Sequence, residues 1–500
     1  MPFRETSPTE PHDPSTPNPG VEGAIAAAAA TPAAESSTAS VREGTPSGRP
    51  TSVLSPEYRW ISIGMCVLIL LAAFESLAVT TVMPLIATEL DGLSLYALAF
   101  AGPLAVSVVG MVLAGNWADR RGPKAPLYAS VALFAIGLIL AGTATSMEVL
   151  VAGRLIHGLG GGGLTVALYV IVARVYPHAL QPRIFAGFSA AWVVPSLIGP
   201  FVAGVVADVA SWHWVFLGVV ALVIPALAMV VPALRGMIHE TDADAPVAPW
   251  NIARILWAVL AAAAVLVLNL SAEAAGWVLW TLPVLAVVVL AVALRPLLPT
   301  GALRAASGLP ATVLVRGLIA GAFFGAQVYV PLILTERYEL TASLAGLALT
   351  LGGLAWAVTA QIQGRYAERL SHARCLRIGL TLLGASLAIT LTAVALALPA
   401  IVLIVAWGFA GAGMGIMYPR TSVMTLQSSS EADQGFNSSA IAISDGIGAA
   451  IAIALAGIVF VLLSPFGGVV PFVGCFALAG GFWLVAVLVS RRAAVTVPLA

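Results

Sequence analysis

The 500-residue chain is 60% hydrophobic and only 9% charged, and its formal net charge is zero. Soluble domains carry roughly a quarter charged residues, so this composition excludes a water-soluble globular protein and indicates a polytopic membrane protein. The neutral charge balance gives no reason to expect a nucleic-acid partner, and three cysteines without CxxC spacing predict neither a disulfide nor a metal site.

The first 55 residues differ from the rest of the chain. They are rich in Pro, Ser, Thr, Ala and Glu and have almost no large apolar side chains. Such a segment cannot bury enough apolar surface to offset chain entropy, so residues 1–55 are predicted to be a disordered cytoplasmic tail. A docking tail is the alternative interpretation.

Fourteen apolar segments follow, each close to the roughly 20 residues that a transmembrane helix requires. They are Trp60–Ile86, Tyr96–Leu113, Pro126–Thr145, Val149–Val172, Ile184–Val206, Trp214–Leu234, Ile252–Leu270, Trp277–Leu294, Thr312–Thr335, Ala342–Ala360, Ile378–Leu396, Ala400–Met417, Phe436–Leu463 and Val470–Val489. No hydrophilic stretch between them could form a separate soluble domain. We therefore predict an all-α polytopic membrane protein.

Basic residues are concentrated in alternate loops. With the N-terminus inside, nearly all arginines and the single lysine, Lys124, fall in inner loops, and only Arg337 falls in an outer loop. Because cytoplasmic loops carry an excess of Lys and Arg, both termini are predicted to be cytoplasmic, in the plasma membrane.

Two of the inner loops resemble each other. The stretch GNWADR, Gly115 to Arg120, recurs as GRYAER, Gly364 to Arg369, with Gly, an aromatic residue, Ala, a carboxylate and Arg at identical offsets. The first joins spans two and three, and the second joins spans ten and eleven. A chance match of two basic loops is the alternative, but the shared offsets favour a duplicated chain, an arrangement that recurs in transporters.

The duplication defines the predicted domains. Two pseudo-symmetric six-helix bundles occupy residues 56–235 and 306–490. A linker with two extra spans occupies residues 236–305, and residues 491–500 form a cytoplasmic tail.

The loop GNWADRRGPK resembles the loop signature of the major facilitator superfamily. Gly115, Asp119, Arg120, Gly122 and Lys124 stand at the signature positions, and a proline replaces one basic residue. The resemblance implies a loop that latches the inner face while the cavity opens outward, with Gly364, Glu368 and Arg369 as its second-half counterpart. A simple topology anchor is the alternative, although such an anchor needs no glycine.

Three further stretches resemble signatures of this family. RLIHGLGGGG in span four matches through Arg154, Gly158 and Gly160, with His157 where glutamine is usual. PSLIGPFVAG in span five resembles the motif of proton-driven exporters: Gly199, Pro200 and Gly204 match, whereas Pro195 and Ala203 replace glycines. FESLAVTTVMP in span one is similar to a stretch of fourteen-helix drug:proton antiporters, with Glu75 replacing aspartate. Span five reads as a kinked, closely packed helix between the two halves, and generic membrane packing is the alternative.

Four residues are candidates for proton coupling or substrate binding. Glu75 lies about 22 Å into span one, where a carboxylate is costly and by default functional; its alternative is a structural carboxylate bonded to a nearby hydroxyl of Ser76 or Thr80. Asp445 reads as a second proton site, a partner of a buried arginine, or a surface residue. The family implies that Arg154 assists proton movement by pairing with an acid, and the alternative is that its side chain snorkels to the membrane interface. His157 is a candidate for the same proton relay, and the alternative is a structural histidine.

Together these features predict a secondary active exporter. It would exchange protons for a small lipophilic or cationic compound by alternating access. The partners are the substrate, protons and the lipid bilayer, and we expect a monomer. We find no nucleotide-binding, metal or catalytic-triad pattern, which predicts no cofactor and no enzymatic activity. Export of a lipid or another cell-envelope component is the alternative, and a non-transporting scaffold or receptor is a third possibility.

Overall fold

The computed structural model describes residues 52–177, 180–236, 249–274, 276–366, 369–430 and 433–493. These residues form fifteen α-helices and no strand. The helices are α1 (Arg59–Glu89), α2 (Tyr96–Arg121), α3 (Lys124–Gly142), α4 (Met147–Val175), α5 (Gln181–Val209), α6 (His213–Gly236), α7 (Ile252–Leu270), α8 (Val278–Leu294), α9 (Leu309–Gln327), α10 (Tyr329–Glu336), α11 (Ala342–Arg365), α12 (His372–Ala395), α13 (Ala400–Gln427), α14 (Gln434–Leu463) and α15 (Val470–Ala493). The predicted tail lies outside the described residues up to residue 51.

The helices match the predicted spans. Thirteen helical segments of the described chain are long and apolar enough to cross a membrane, and α8 adds a shorter apolar helix. Helices α9 and α10 share one span, Leu309–Glu336, which is interrupted at Val328. Pro331 has no N–H to bond the carbonyl of Gln327, and this explains the interruption. The all-α fold with fourteen transmembrane segments is confirmed.

Helix packing repeats between the two halves. Helix α1 packs on α5 and α6 as α9 packs on α14 and α15; α4 packs on α2 and α3 as α13 packs on α11 and α12. Between the halves, α5 packs on α11 and α2 packs on α14. These two contacts are equivalent, because α5 corresponds to α14 and α2 corresponds to α11. The inserted α7 lies against both α2 and α14, and α8 packs on α7.

Glycines permit the close helix contacts inside each half. A Cβ added to Gly110 of α2 would lie 2.1 Å from the carbonyl oxygen of Leu159 in α4. At the equivalent contact in the other half, a Cβ on Gly411 of α13 would lie 1.9 Å from the carbonyl oxygen of Gly352 in α11. No larger residue fits at either site, because the helix backbones touch there.

The two halves meet tightly at one end of the bundle. We call the end that carries the Arg120 to Lys124 loop the basic end and the other the distal end. A Cβ on Gly204 of α5 would lie 2.4 Å from Cα of Ser343 in α11, and one on Gly457 of α14 would lie 2.5 Å from Cβ of Ala97 in α2. These contacts lie near the distal ends of their helices and form what we call the distal seal.

Hydrogen bonds reinforce the distal seal. The hydroxyl of Tyr96 donates to the carbonyl oxygen of Val328 at 2.5 Å, so the start of α2 is tied to the interruption between α9 and α10. The amide of Ser343 donates to Asp208 at 3.3 Å. Asp208 is exposed, and this hydrogen bond joins α5 to α11.

Candidate functional site

A buried charged cluster lies inside the first half. Glu75 of α1 forms an ion pair with Nη1 of Arg154 in α4, and its side chain is only 2% exposed. Nε2 of His157 lies 3.1 Å from the second oxygen of Glu75, at ion-pair distance though not aligned as a hydrogen bond. We call Glu75, Arg154 and His157 the buried triad.

Neighbouring helices hold the triad in place. Nε of Arg154 donates to the carbonyl oxygen of Ala99 in α2 at 3.2 Å. The His157 ring lies against Phe134 of α3, with ring centroids 4.5 Å apart. Nδ1 of His157 is 3.4 Å from Nη1 of Arg154. Arginine can only donate, so Nδ1 accepts and the ring proton lies on Nε2 in a neutral ring.

The contacts of the triad bear on the alternatives that the sequence left open. Glu75 pairs with arginine and histidine, whereas the hydroxyl of Thr80 donates to the backbone oxygen of Ser76. Arg154 is buried and does not snorkel to the interface. Residues 79 positions apart in the chain are thereby joined near the middle of the first half.

A second charged cluster lies in the other half. Nε of Arg316 in α9 donates to Oδ1 of Asp445 in α14 at 2.9 Å, and the hydroxyl of Tyr418 in α13 donates to the same oxygen. The contacts match the interpretation that Asp445 is the partner of an arginine inside the bundle, and its role as a second proton site stays a prediction. Sequence reasoning did not single out Arg316, although an arginine well inside an apolar span is a detectable signal.

The first-half loop is shorter than the sequence predicted. The predicted spans left residues 114–125, including Asp119, as a loop next to the start of span three. In the structure Asp119 lies in the last turn of α2, and only Gly122 and Pro123 separate α2 from α3. Gly122 has φ of 77°, which favours glycine. Nη2 of Arg174 donates to the carbonyl oxygen of Ala118 at 3.3 Å and so caps α2 with a positive charge.

Charged groups from two other helices act on this loop. Arg174 of α4 and Arg254 of α7 are the charges that interact with Asp119. Arg120 lies 5.0 Å above the ring of Trp250, and the amide of Asn251 donates to the side chain of Asn116 at 2.9 Å. Lys124 begins α3. The loop therefore contacts the chain that leads into α7.

The second-half loop is only partly described. Gly364 lies in the last turn of α11, where an added Cβ would meet nothing within 4 Å. Arg369 lies 6.0 Å from the ring of Tyr366. Glu368 lies outside the described residues, so its predicted role is untested. Next to Gly364, the side-chain amide of Gln363 satisfies its neighbours when its oxygen faces Arg420 of α13; it then accepts from Nη2 at 2.7 Å and from Nε at 3.1 Å.

The span-five residues lie on two different contacts. Pro195 and Pro200 are inside α5. A Cβ on Gly199 would lie 3.4 Å from the ring of Phe74 in α1, whereas Gly204 meets Ser343 across the distal seal. The carbonyl oxygen of Pro200 would lie 2.8 Å from a Cβ on Gly346 of α11. This motif therefore packs partly within its own half and partly between the halves.

Solved transporters share this fold. One is a POT family transporter in complex with 5-aminolevulinic acid, with a TM-score of 0.61 and 17% identity over 87% of this chain and 96% of that one. Another is the xylose transporter XylE from E. coli, with a TM-score of 0.56 and 17% identity over 86% of this chain and 96% of that one. At such identities the likeness concerns the fold alone.

Curated relatives match a smaller part of the chain. Multidrug resistance protein 3 of Bacillus subtilis is 28% identical over 166 residues, 33% of this chain and 32% of that protein. The MFS efflux transporter aclA of Aspergillus oryzae is 28% identical over 182 residues, 36% of this chain and 33% of that protein. The matched part thus spans about a third of the length of each of these relatives.

A family match covers most of the chain. The sequence profile of the Major Facilitator Superfamily matches residues 65–384 and 312–498. Together with the fold likeness, this confirms the resemblance seen in the sequence motifs. The chain is therefore a multi-pass membrane transporter, not an enzyme, and it belongs to the Major Facilitator Superfamily.

Proposed function

We propose that this transporter is a proton-coupled exporter of a small lipophilic or cationic compound. The observation that carries the proposal is the buried triad. Burying a carboxylate inside a membrane bundle costs free energy, and the side chain of Glu75 is only 2% exposed, so a functional role is the default interpretation. The efflux and multidrug names of two relatives support the direction and substrate class.

Proton uptake at Glu75 would change the energy of its partner. Arg154 is buried and depends on the carboxylate for charge compensation. If Glu75 takes a proton, the guanidinium is left as an uncompensated buried charge, a state that costs several kcal/mol. A rearrangement that gives Arg154 water or another partner then becomes favourable. This differential stability is the physical basis for coupling protonation to a change of conformation.

His157 would contribute at one nitrogen. With Nδ1 accepting from Arg154 and the proton on Nε2, the ring faces Glu75 with its N–H. A transient movement of Arg154 away from the ring would free Nδ1, which could then take a proton while Nε2 delivers one to the carboxylate. Once Glu75 is protonated, the ion pair no longer re-forms and the rearrangement of Arg154 follows. His157 is in this scheme a relay that works only after the ion pair opens.

The charge distribution supports an orientation. We infer that the basic end and both termini face the cytoplasm, in the plasma membrane, because positive loops are retained on that side. The distal seal would then close the outer face in this conformation. The loop from Gly115 to Lys124, with Asp119 near Arg174, would close the inner face in the opposite conformation.

The test uses the full-length protein in proteoliposomes. An imposed proton gradient should drive movement of at least one fluorescent dye from a panel that contains ethidium and neutral lipophilic dyes. Glu75→Gln mimics the protonated side chain, so it should lose gradient-driven movement by at least tenfold and keep dye exchange without a gradient. Glu57→Gln, an exposed carboxylate before α1, is the matched control and should behave as wild type.

Each outcome of this test has a meaning. Unchanged gradient-driven movement in Glu75→Gln would refute the role of Glu75. Absence of both driven movement and exchange in the wild type across dyes and vesicle lipids would refute the proposed exporter. Movement of labelled lipid but of no dye would favour the envelope-component alternative.

A further inference from the structure

The charged cluster in the second half differs from the buried triad in its accessibility. The side chain of Asp445 is 27% exposed and that of Arg316 is 12% exposed. The triad is sealed, whereas Asp445 can be reached from outside its own helix bundle. A carboxylate that is held in place yet remains accessible is suited to contact a ligand.

The packing of α14 shows where Asp445 faces. On one side of it, Ser444 and Gly448 pack against Gly317 of α9. On the other side, Gly446 faces Leu104 and Val108 of α2, which belongs to the first half. Asp445 lies on the strip of α14 between these two contacts. Its exposed part therefore faces the space between the halves.

Arg316 is fixed by several acceptors. Its Nη1 donates to the carbonyl oxygen of Tyr418 at 2.9 Å and to the hydroxyl of Thr421 at 3.0 Å. Its guanidinium carbon lies 3.2 Å from the centroid of the Tyr418 ring. Because the backbone and the ring of Tyr418 both fix the Arg316 side chain, its remaining N–H donors point in a constant direction.

The ion pair leaves one donor and one acceptor unused. Both Nε of Arg316 and the Tyr418 hydroxyl donate to Oδ1 of Asp445. Among the described residues, no side chain or backbone group bonds Oδ2 of Asp445 or Nη2 of Arg316, and neither atom is fully buried. Nε and Nη2 lie on the same edge of the guanidinium, so the free N–H group of Nη2 is on the edge that faces Asp445.

An aromatic surface adjoins this pair. The ring of Trp356 in α11 lies edge-on to Tyr418, with centroids 5.0 Å apart, and Phe323 of α9 lies 5.5 Å from Trp356. Trp356 and Tyr418 are only partly buried. A flat apolar ligand can pack on such rings while its polar group reaches the ion pair.

We propose that Arg316 and Asp445 form a substrate subsite for the polar group of an aromatic compound that both accepts and donates a hydrogen bond, such as a primary amide. The carbonyl oxygen would accept from Nη2 of Arg316 and the N–H would donate to Oδ2 of Asp445. The two charges cancel, so a permanent cation gains less here than at an isolated carboxylate. This inference rests on the proposed transport of small molecules and narrows their class.

The experiment compares three matched probes. Equilibrium dialysis of 2-naphthamide, 2-naphthoate and 2-naphthyltrimethylammonium against the purified full-length protein in detergent, corrected with empty micelles, gives their affinities. The wild type should bind the amide at least tenfold more tightly than either charged probe. No proton gradient is present in this binding experiment. A negative result therefore counts against the subsite but not against proton coupling at Glu75, and loss of proton coupling would not by itself count against the subsite.

Two variants should change the preference in opposite directions. Asp445→Asn leaves an uncompensated guanidinium and should favour naphthoate by at least tenfold; Arg316→Gln leaves an uncompensated carboxylate and should favour the trimethylammonium probe by at least tenfold. Asp433→Asn, the same change at the exposed start of α14, is the control and should keep the wild-type order. Opposite shifts cannot arise from partial unfolding.

The proposal is overturned if the wild type binds no probe or binds the trimethylammonium probe most tightly. It is also overturned if both single variants change all three affinities alike. Should a single variant fail to fold, the uncharged double variant Arg316→Gln/Asp445→Asn decides: its three affinities should fall within about threefold of one another, and retention of the tenfold amide preference would refute the subsite.

Discussion

Replacement of Gly204 by alanine should open the distal seal. A Cβ at this position would lie 2.4 Å from Cα and 2.6 Å from the amide nitrogen of Ser343. Both are backbone atoms of the first turn of α11, so no side-chain rotation relieves the clash. Carbon atoms in contact are about 3.5–4.0 Å apart, so α5 and α11 must separate by at least about 1 Å.

The expected magnitude follows from this overlap. Forcing an extra methyl group into a packed contact costs about 1–3 kcal/mol. The cost applies only while the seal is closed, so Gly204→Ala should shift the equilibrium toward the distal-open state by about 5- to 150-fold. Alanine also favours the helix by about 1 kcal/mol over glycine. This gain is the same in both states of the transporter, so it does not change the equilibrium between them.

Distance measurements between the distal ends of α5 and α10 report this shift. Spin labels at Val209→Cys and Arg337→Cys, in a Cys66→Ser background, lie on opposite halves; both sites are exposed, and the other two native cysteines are buried. Gly204→Ala should raise the ratio of long to short distances by about 5- to 150-fold over wild type. Gly480→Ala is the matched control, because a Cβ there meets nothing within 4 Å.

The result that would refute this reasoning is specific. If Gly204→Ala and Gly480→Ala both give the wild-type distance distribution while the protein remains folded, the α5–α11 contact does not stabilise the closed distal end. The assignment of the distal seal as the part that opens during transport would then be wrong.

Three further predictions concern the buried triad and the helix ends. Arg154→Gln leaves Glu75 as a buried charge without its ion-pair partner, so it should reduce the free energy of unfolding by about 3–5 kcal/mol. Thermal unfolding should show a lower melting temperature, with partial recovery in the double variant Glu75→Gln/Arg154→Gln. An unchanged melting temperature would contradict this prediction. Tyr96→Phe removes the hydrogen bond to Val328, so it should weaken the distal seal by about 1 kcal/mol, a smaller shift in the same label distances than Gly204→Ala produces; an equal or larger shift would contradict it. Arg174→Gln removes the positive cap of α2, worth about 0.3–1 kcal/mol, and should speed hydrogen exchange at Gly122, whereas unchanged exchange would show that the cap contributes nothing measurable.

The sequence by itself determined the helices and singled out charged residues inside them. Each apolar segment of about 20 residues must be helical in a bilayer, because its backbone groups have no other hydrogen-bond partners there. The sequence also singles out three charged residues within these segments, because a charge loses its hydration at membrane depth and is therefore costly there. They are Glu75, Arg154 and Asp445. The repeat of the Gly115 and Gly364 loops predicted the division into two halves.

Only the tertiary structure decided which charges meet. Glu75 and Arg154 are 79 positions apart, and Arg316 and Asp445 are 129 positions apart. Their pairing depends on how neighbouring helices are rotated and how closely glycines let them approach, and a sequence period does not specify either. The placement of Asp119 in the last turn of α2 was missed because charged residues extend a helix beyond its apolar part, so hydropathy locates the bilayer and not the helix end.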